Sequence, residues 1–382
     1  MIVAGEASGD GHAAKLVHAI RDSAPETDFE FFGAAGPKMR EAGVEAVVLA
    51  DDLSIVGLAE IGRALPMFLR AKRDLKSAAD CRKPNAVILV DFPDFNLKLA
   101  KVLKKQGLTV VYYISPQLWA WRKYRIATVK KYIDLMITIL PFEKDWYAER
   151  GVRHVEYVGS PLAHEVHSTR SKEEFCRVHG LDPSEPIVSL LPGSRHKEIV
   201  RILPVMIEAA AQITVEQPDV QFVIPIGSGK NRFDVDNAVR EAKVKTPKIL
   251  KIVEGETYDA INVSDAAAVT SGTATLETGI IGTPMAIVYK SSAINYYLLK
   301  PLISVEHYGL INLIADERVA MELIQHDFTA NTLAAELLRL MRPDVNDAMR
   351  EKLRLATEKL GHGGASKRAA EAVLRVIEKP LG

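Results

Sequence analysis

The chain contains the informative sequence Ile187-Val188-Ser189-Leu190-Leu191-Pro192-Gly193-Ser194-Arg195, which precedes a helix-like segment from His196 to about Glu216. An apolar run, a turn of small residues and a helical segment, in that order, are typical of one repeat of a parallel α/β layer. Such a loop directs backbone N–H groups and the positive end of the helix toward one point, which suits a phosphate. Arg195 adds a planar fork of donors for phosphate oxygens.

A second loop of the same kind follows the apolar run Ala266 to Val269 and has the sequence Ser271-Gly272-Thr273-Ala274-Thr275-Leu276-Glu277. It also precedes a helical segment. Two phosphate-directed loops in one chain predict a binding site for a nucleotide diphosphate. The residues of this predicted site are Gly193, Ser194, Arg195, Gly272, Thr273 and Ala274.

The first half of the chain alternates apolar runs with helical periodicity. The predicted strands are Ile2–Ala4, Phe29–Phe32, Ala46–Leu49, Ala86–Val90, Thr109–Ile114, Leu135–Leu140 and Val155–Val158. Uniformly apolar strands between amphipathic helices indicate a parallel sheet that is covered on both faces. Right-handed crossovers make this α/β layer doubly wound.

A second series of strands begins at Ile187, and Gly159-Ser160-Pro161 is the predicted junction between the two series. We expect two doubly wound, Rossmann-like domains that face a cleft, because 382 residues suffice for two cores. The first domain is expected to comprise residues 1–160 and the C-terminal helices 346–382, and the second residues 161–345. Ligands bind beyond the carboxyl ends of such strands.

The composition excludes several classes of function. Lys plus Arg number 49 and Asp plus Glu number 49, and this neutral balance argues against a nucleic-acid partner. Cys81 and Cys176 lack a ligand pattern, which favours a reducing cytosol over a disulfide framework. We find no signal-peptide pattern and no run long enough to cross a membrane, so any membrane contact is expected to be peripheral. No cluster has metal-ligand spacing, and neither a metal nor a cofactor is expected.

Two loops of the first half contain candidate catalytic carboxylates. Asp91 directly follows the predicted strand that ends at Val90, where a partly desolvated carboxylate can accept a hydroxyl proton. A structural role for Asp91 is the alternative. Glu6 lies in the loop Gly5-Glu6-Ala7-Ser8-Gly9-Asp10-Gly11 after the first strand. Ser8 or Asp10 would fit a helix cap, whereas Glu6 is harder to explain in that way.

Trp119 and Trp121 lie close together in the segment Ser115 to Arg122. A sugar ring or an acyl chain can rest on such aromatic faces, and packing in the core is the alternative.

An apolar stretch extends from Ile55 to Leu69 and includes Val56, Leu58, Ile61 and Phe68. The basic residues within or just after it are Arg63, Arg70, Lys72 and Arg73. This pattern favours an interfacial helix whose basic residues meet anionic head groups. A core helix with a solvated basic face is the alternative.

Taken in order, the motifs resemble those of the lipid-A-disaccharide synthase family of bacterial glycosyltransferases. The matching blocks are Val3-Ala4-Gly5-Glu6-Ala7-Ser8-Gly9-Asp10, Val56-Gly57-Leu58-Ala59-Glu60, Asp91-Phe92-Pro93-Asp94-Phe95-Asn96, Ser115-Pro116-Gln117-Leu118-Trp119-Ala120-Trp121-Arg122, Leu140-Pro141-Phe142-Glu143, Leu191-Pro192-Gly193-Ser194-Arg195 and Ser271-Gly272-Thr273-Ala274-Thr275-Leu276-Glu277. Each block is weak alone, but the ordered set covers nearly the whole chain and is specific.

The resemblance implies a GT-B type fold and an inverting transfer without a metal. It implies UDP-2,3-diacylglucosamine as donor, 2,3-diacylglucosamine 1-phosphate as acceptor and a new β-1,6 bond, in the biosynthesis of the lipid A of lipopolysaccharide. The expected location is the cytoplasm, in peripheral contact with the inner membrane through the apolar stretch and the tryptophans. The sequence leaves the oligomeric state open, and a homodimer is compatible with it.

The resemblance also implies roles for single residues. Asp91 is the candidate base, Arg195 contacts the donor phosphates, Glu277 contacts the nucleotide and Asn312 lies near the reacting sugars. The chain departs from the family pattern beside Asn312, because Ile311 replaces the usual proline. A glycine that often follows is also absent.

Other functions compatible with two diphosphate-directed loops are a UDP-sugar epimerase, a GT-B transferase with a soluble acceptor and a non-catalytic nucleotide-sugar-binding protein. The apolar stretch after Ile55 separates the first two from a transferase with a lipid acceptor, because a soluble acceptor requires no exposed apolar surface. Asp91 argues only weakly against the third.

Overall fold

The computed structural model describes residues 1–54, 61–227, 229–242, 244–292 and 305–378, with residues 54, 61–64 and 230 described through their backbone only. The chain divides into two compact units. The first comprises Met1–Pro161 and the segment that begins at His362, and the second is Leu162–Gly361.

The first unit contains a parallel sheet of seven strands in the order β3-β2-β1-β4-β5-β6-β7. The strands are β1 (Ile2–Val3), β2 (Phe32–Ala35), β3 (Glu45–Leu49), β4 (Val87–Val90), β5 (Val110–Tyr113), β6 (Leu135–Thr138) and β7 (Val155–Tyr157). The strand order reverses between β1 and β4, which are neighbours in register with Val3 beside Leu89. The loops after these two strands therefore leave the sheet side by side, at the edge where such sheets bind ligands.

Helices cover both faces of this sheet. In the described part of the first unit they are Ala7–Ser23, Pro37–Glu41, Ala50–Ser54, Ile61–Arg82, Pro93–Lys105, Lys123–Arg125 (a 3₁₀ turn), Ile126–Tyr132, Glu143–Glu149 and Ala365–Glu378. The last helix returns to the first unit, where Ala369 and Val373 share one buried cluster with Val17 and Ile20. No described helix has the length and apolar character that a membrane span requires.

The second unit contains a parallel sheet of six strands in the order β10-β9-β8-β11-β12-β13. The strands are β8 (Ile187–Leu191), β9 (Gln221–Ile226), β10 (Leu250–Glu254), β11 (Ala266–Thr270), β12 (Met285–Tyr289) and β13 (Glu322–Ile324). The order reverses between β8 and β11, and these strands are followed by the two predicted phosphate-directed loops.

The described helices of the second unit are Leu162–Glu165, Lys172–His179, His196–Glu216, Gly229–Asn231 (a 3₁₀ turn), Arg232–Arg240, Thr257–Asn262, Thr273–Ile281, Leu310–Ala315, Ala330–Leu340 and Pro343–Glu358. The helix Pro343–Glu358 was expected in the first domain, whose C-terminal part was to begin at residue 346. It belongs to the second unit instead. The reason is local bonding, since Asn346 Nδ2 donates to Asp265 O at 2.7 Å and Arg350 Nη1 donates to Gly282 O at 2.9 Å.

Candidate active site

The loop after β8 turns at Gly193, whose φ of +101° is a conformation that favours glycine. A Cβ at this position would lie 2.5 Å from Glu198 Oε2, so a larger residue would also clash. The turn brings the chain to the first residue of the helix His196–Glu216. The N-terminus of that helix therefore faces the space beyond β8, as the sequence predicts for a phosphate-directed loop.

Glu198 organises this loop. Its Oε2 accepts hydrogen bonds from the Ser194 and Arg195 backbone N–H groups at 3.2 and 3.3 Å, and its Oε1 accepts one from Arg195 Nη1 at 3.0 Å. The Arg195 side chain is nevertheless 82% exposed. Glu198 has no role among the sequence predictions, although its position three residues after the helix cap is the spacing of a capping box.

The loop after β11 has the same design. Gly272 has a φ of +149° and precedes the helix Thr273–Ile281. Thr270 Oγ1 donates to Leu191 O at 2.9 Å, which ties the end of β11 to the end of β8. The two loops thus emerge from neighbouring strands, and both helix N-termini lie at the same edge of the sheet.

Both loops border one cavity of about 590 Å³. Its lining includes all seven predicted donor-binding residues, namely Gly193, Ser194, Arg195, Gly272, Thr273, Ala274 and Glu277. A cavity of this size is in the range of small-molecule sites. Glu277 and Thr257 also line an adjoining cavity of about 470 Å³, which extends the space along the same unit.

Glu277 lies between the two cavities and receives a hydrogen bond from Tyr258 OH at 3.1 Å. Burial raises the pKa of Glu277 above its ordinary value, and the bond from Tyr258 opposes that shift. The carboxylate is suited to accept further hydrogen bonds from hydroxyl groups of a ligand.

Asn312, which is expected near the reacting sugars, is not among the residues that line this cavity. The residue is fully buried. Its Nδ2 donates to Ala320 O at 2.8 Å and to Glu322 Oε1 at 2.9 Å, and its Oδ1 accepts from Ala320 N at 2.9 Å. These bonds occupy both ends of the amide, so Asn312 holds the helix Leu310–Ala315 in place.

In the first unit, Asp91 follows β4 in an unusual conformation. Asp91 and Phe92 have φ values of +47° and +51°, a left-handed conformation that is costly for residues with a side chain. Two side chains hold the turn, because Asn96 Nδ2 and Tyr112 OH donate to Asp91 O at 2.8 and 2.6 Å. Strain that the surroundings maintain in this way is typical of functional sites.

Burial, and then the negative charge of Glu6, raise the pKa of Asp91 to about 6, against a hydrogen bond from the Phe92 backbone. Glu6 is exposed and precedes the helix Ala7–Ser23. The loop after β1 fits closely against the loop after β4, since a Cβ on Gly5 would lie 2.2 Å from the Phe92 ring. The structure therefore brings Glu6 and Asp91 together at the point where the strand order reverses.

Asp10, which the sequence offered as a cap for its own helix, instead accepts the backbone N–H groups of Lys38 and Met39 at 2.9 and 3.1 Å. It caps the helix Pro37–Glu41.

The two tryptophans have different environments. Trp119 is only 5% exposed and packs edge-on against Phe142, with ring centroids 5.1 Å apart. Its Nε1 donates to Glu143 Oε1 at 3.1 Å. The expected ligand contact through Trp119 is therefore corrected to core packing. Trp121 is partly exposed, and the Arg122 guanidinium lies 4.0 Å from its ring centroid.

Glu143 is a buried carboxyl group at the end of the motif Leu140 to Glu143, for which the sequence predicts no separate role. It accepts hydrogen bonds from Trp119 Nε1 and from Leu140 N, each at 3.1 Å. Burial raises the pKa of Glu143 to about 7, and these bonds partly offset the shift. It fixes the segment that contains both tryptophans.

The apolar stretch is described only in part. Val56 and Leu58 lie outside the described residues, and Ile61 is described through its backbone, at the start of the helix Ile61–Arg82. Phe68 contacts the core rather than solvent alone, with its ring 6.2 Å from that of Phe92 and 6.1 Å from that of Phe95. Among the side chains of this helix that the structure describes, the large apolar ones that are exposed are Leu65 and Leu69, at 54% and 57%.

In the part of the chain that the structure describes, no group of three His, Cys, Asp or Glu residues is arranged to hold a metal ion.

Comparison with known proteins identifies a family. A family model described as Lipid-A-disaccharide synthetase matches residues 1–377. The lipid-A-disaccharide synthase of Syntrophus aciditrophicus is 43% identical over 380 residues, which cover 99% of this chain and 98% of that protein. The synthase of Geobacter sulfurreducens is 41% identical over 382 residues, with 100% and 98% covered.

Solved structures share the fold at low sequence identity. The glycotransferase of kitacinnamycin has a TM-score of 0.63 and 14% identity, with 98% of each chain covered. The UDP-GlcNAc 2-epimerase of Neisseria meningitidis, bound to UDP-GlcNAc, has a TM-score of 0.60 and 12% identity, with 96% of this chain and 97% of that chain covered. The predicted GT-B type fold of two doubly wound parallel-sheet units is confirmed.

Proposed function

The chain belongs to the lipid-A-disaccharide synthase family of glycosyltransferases, and we propose that it transfers 2,3-diacylglucosamine from UDP to 2,3-diacylglucosamine 1-phosphate. The products are a β-1,6-linked disaccharide 1-phosphate and UDP. The observation that carries the donor assignment is the cavity of about 590 Å³ that both helix N-termini and Arg195 border.

We assign the donor to the second unit. The diphosphate would accept hydrogen bonds from the backbone of the two loops, and the exposed Arg195 guanidinium would bind its oxygens in a fork. Glu277 would accept hydrogen bonds from hydroxyl groups of the nucleotide. As the bond between the anomeric carbon and UDP breaks, its electron pair passes to the diphosphate oxygen. Donors that are already in place stabilise the charge that develops there.

We assign the acceptor and the catalytic base to the first unit. The primary hydroxyl of the acceptor attacks the anomeric carbon, and Asp91 takes the hydroxyl proton as the new bond forms. Attack from the face opposite UDP inverts the anomeric configuration to β. A pKa of about 6 leaves Asp91 ionised at neutral pH while making it a stronger base than an ordinary aspartate. Glu6 contributes by its negative charge.

We further propose peripheral contact with the inner membrane from the cytoplasm. Leu65 and Leu69 offer apolar surface on one face of the helix Ile61–Arg82, and the side chains of Arg70 and Arg73 are 78% and 72% exposed near them. Apolar side chains beside arginines are typical of helices that lie at an anionic lipid surface. Val56, Leu58, Ile61 and Trp121 remain proposed contacts of the acyl chains or the membrane.

The test of the proposed function is a product assay with the purified protein. UDP release and the mass of the disaccharide 1-phosphate are measured with both lipid substrates and again without the acceptor. We expect UDP release only when the acceptor is present. UDP-sugar isomerisation without release would identify an epimerase, and equal release to a soluble sugar would identify another transferase. Binding of UDP-sugar without any turnover would identify a binding protein.

A further inference from the structure

Two arginines converge on one carboxylate beside the candidate base. Arg122 Nη1 donates to Asp94 Oδ1 at 2.7 Å, and Arg125 Nη2 donates to the same oxygen. Both arginines lie in the loop that follows β5, and Asp94 lies in the first turn of the helix Pro93–Lys105, which follows β4. Because β4 and β5 are neighbours, the two loops meet at the ligand-binding edge of the sheet.

The positions of these arginines are fixed. Arg122 has a left-handed φ of +55°, and its guanidinium stacks on Trp121 at 4.0 Å from the ring centroid. The side chain of Arg125 is only 16% exposed. Guanidinium groups that are held in this way lose little conformational entropy when they bind an anion.

The cluster also carries an excess of positive charge. Arg122, Lys123 and Arg125 lie within four residues of one another, and a single carboxylate, Asp94, accepts from both arginines. Asp94 uses one oxygen for both bonds, so each guanidinium keeps nitrogen atoms that Asp94 does not engage. The N-terminus of the helix Pro93–Lys105 adds partial positive charge at the same place.

A short chain of contacts connects this cluster to Asp91. Tyr112 OH donates to Asp91 O at 2.6 Å, and the charges of Asp91, Arg125 and Asp94 all act on that hydroxyl. An anion bound by the arginines would therefore lie beside the turn that holds the candidate base, because Asp94 lies in the first turn of the helix that directly follows Asp91 and Phe92.

We propose that Arg122 and Arg125, positioned by Asp94 and Trp121, bind the phosphate monoester of the acceptor sugar. This inference rests on the proposed function, which places the acceptor in the first unit. The chemistry of the sugar fits the arrangement, because the ring carbon that bears the phosphate and the ring carbon that bears the primary hydroxymethyl group are both bonded to the ring oxygen. A site that binds the phosphate at the arginines would present the hydroxyl to Asp91. The arginines thus select a phosphorylated acceptor and orient it.

The experiment compares Arg122→Gln and Arg125→Gln with the wild type on two acceptors, 2,3-diacylglucosamine with and without its 1-phosphate. Arg153→Gln is the matched control, because Arg153 is exposed and precedes β7, at the opposite edge of the same sheet. For each arginine variant we expect the KM for the phosphorylated acceptor to rise by about 10- to 100-fold, because a charge-assisted hydrogen bond to the phosphate is lost. The KM for the unphosphorylated acceptor and for the donor should stay within about twofold. If the unphosphorylated acceptor gives no product, calorimetric Kd values for both acceptors, measured with UDP present, supply the same ratio.

Equal losses on both acceptors would overturn the proposal and make the cluster a structural contact between two loops. A second measurement tests whether the arginines bind the phosphate of a lipid head group instead of the phosphate of the acceptor sugar. If the variants lose sedimentation with phosphatidylglycerol vesicles but keep the wild-type preference for the phosphorylated acceptor, the arginines bind membrane and the proposal fails. If the wild type forms no disaccharide, the proposed function is contradicted instead. The ratio of the Kd values for the two acceptors does not require turnover, so it tests the phosphate site separately.

Discussion

Asn312 donates its side-chain amide to the Glu322 carboxylate over 2.9 Å, and the same carboxylate oxygen accepts the backbone N–H of Gly309 at 2.9 Å. Glu322 also accepts the N–H of Tyr308 at 3.0 Å. Tyr308 O in turn accepts from Ser271 Oγ at 2.8 Å. The pair therefore fixes the chain beside the second phosphate-directed loop without itself facing the cavity.

The first prediction concerns this pair. Asn312→Ala leaves buried polar groups at Glu322 and Ala320 without their partner, so the free energy of unfolding should fall by about 2–4 kcal/mol. Urea denaturation measures this loss. Activity per folded molecule should decline less than for a variant of Asp91. If the Asn312→Ala protein is as stable as the wild type but has no turnover, Asn312 takes part directly in the reaction.

The second prediction concerns Asp91. Asp91→Asn removes the base and should lower kcat by about 10²-fold or more. In the wild type, kcat/KM should rise with pH up to about 6 and then level off, because the carboxyl must lose its proton before it can accept another. The raised pKa of Asp91 makes the free energy of unfolding change with pH in the direction opposite to kcat/KM. Folding binds this proton more tightly, so the contribution of Asp91 to stability declines as pH rises from about 4 to about 6.

Asp91→Asn should therefore be as stable as the wild type at pH 4 and more stable at pH 8, when compared by thermal unfolding. Near-normal turnover in the folded variant would show that Asp91 has only a structural role.

The third prediction separates Glu6 from Asp91. The negative charge of Glu6 is the second cause of the raised Asp91 pKa, after burial. Glu6→Gln should therefore move the acidic limb of the kcat/KM profile to lower pH. Glu41→Gln is a suitable control, because Glu41 is an exposed carboxylate on another helix of the same unit. An unmoved limb in Glu6→Gln would mean that the charge of Glu6 does not act on the base.

The fourth prediction concerns the donor. Arg195→Ala should raise the Kd of UDP by about 10- to 100-fold, since a charge-assisted bond to phosphate is lost. Arg342→Ala is the matched control, because Arg342 is also exposed and also pairs with a nearby carboxylate, that of Asp344. Calorimetric titration with UDP measures both variants. If the Kd of UDP is unchanged in Arg195→Ala, the diphosphate does not bind at this loop.

The fifth prediction concerns the exposed leucines. Replacing Leu65 and Leu69 with serine should weaken binding to anionic vesicles by at least about tenfold, because two apolar side chains no longer enter the lipid. Val215→Ser is the control, since Val215 is 83% exposed in the other unit. Phe68→Ser should mainly lower stability, because Phe68 packs on Phe92 and Phe95. If the protein with both leucine substitutions sediments with vesicles as well as the wild type does, this face of the helix is not the membrane contact.

Patterns of neighbouring residues predicted much of this fold. The sequence Leu191 to Arg195 requires a tight turn at Gly193 after an apolar run, and the structure has that turn. Strand ends were less predictable. The second strand was expected at Phe29–Phe32 and is found at Phe32–Ala35, because Phe29 and Phe31 pack with each other and with one face of the core while the small residues that follow enter the sheet.

Side-chain environments depended on distant partners and were predicted less well. Trp119 is buried because Glu143, on the helix Glu143–Glu149, supplies an acceptor for its indole N–H. Asn312 is buried because the main chain at Ala320 and the carboxylate of Glu322 satisfy its amide. None of these three partners is adjacent in sequence to the residue that it contacts, so no local pattern indicates them. The same holds for Arg125, whose contact with Asp94 joins loops from two strands.

The return of the helix Ala365–Glu378 to the first unit has a consequence for biosynthesis. Arg368 Nε donates to Val158 O at 2.8 Å, and Ala369 and Val373 cover apolar residues of the helix Ala7–Ser23. During translation the first unit therefore cannot complete its packing until the helix Ala365–Glu378 has been synthesised, and Val17 and Ile20 lack the contacts of that helix until then. The second unit can complete its fold earlier, although its synthesis begins later. A stalled or prematurely released chain would display an unfinished N-terminal half to chaperones and proteases.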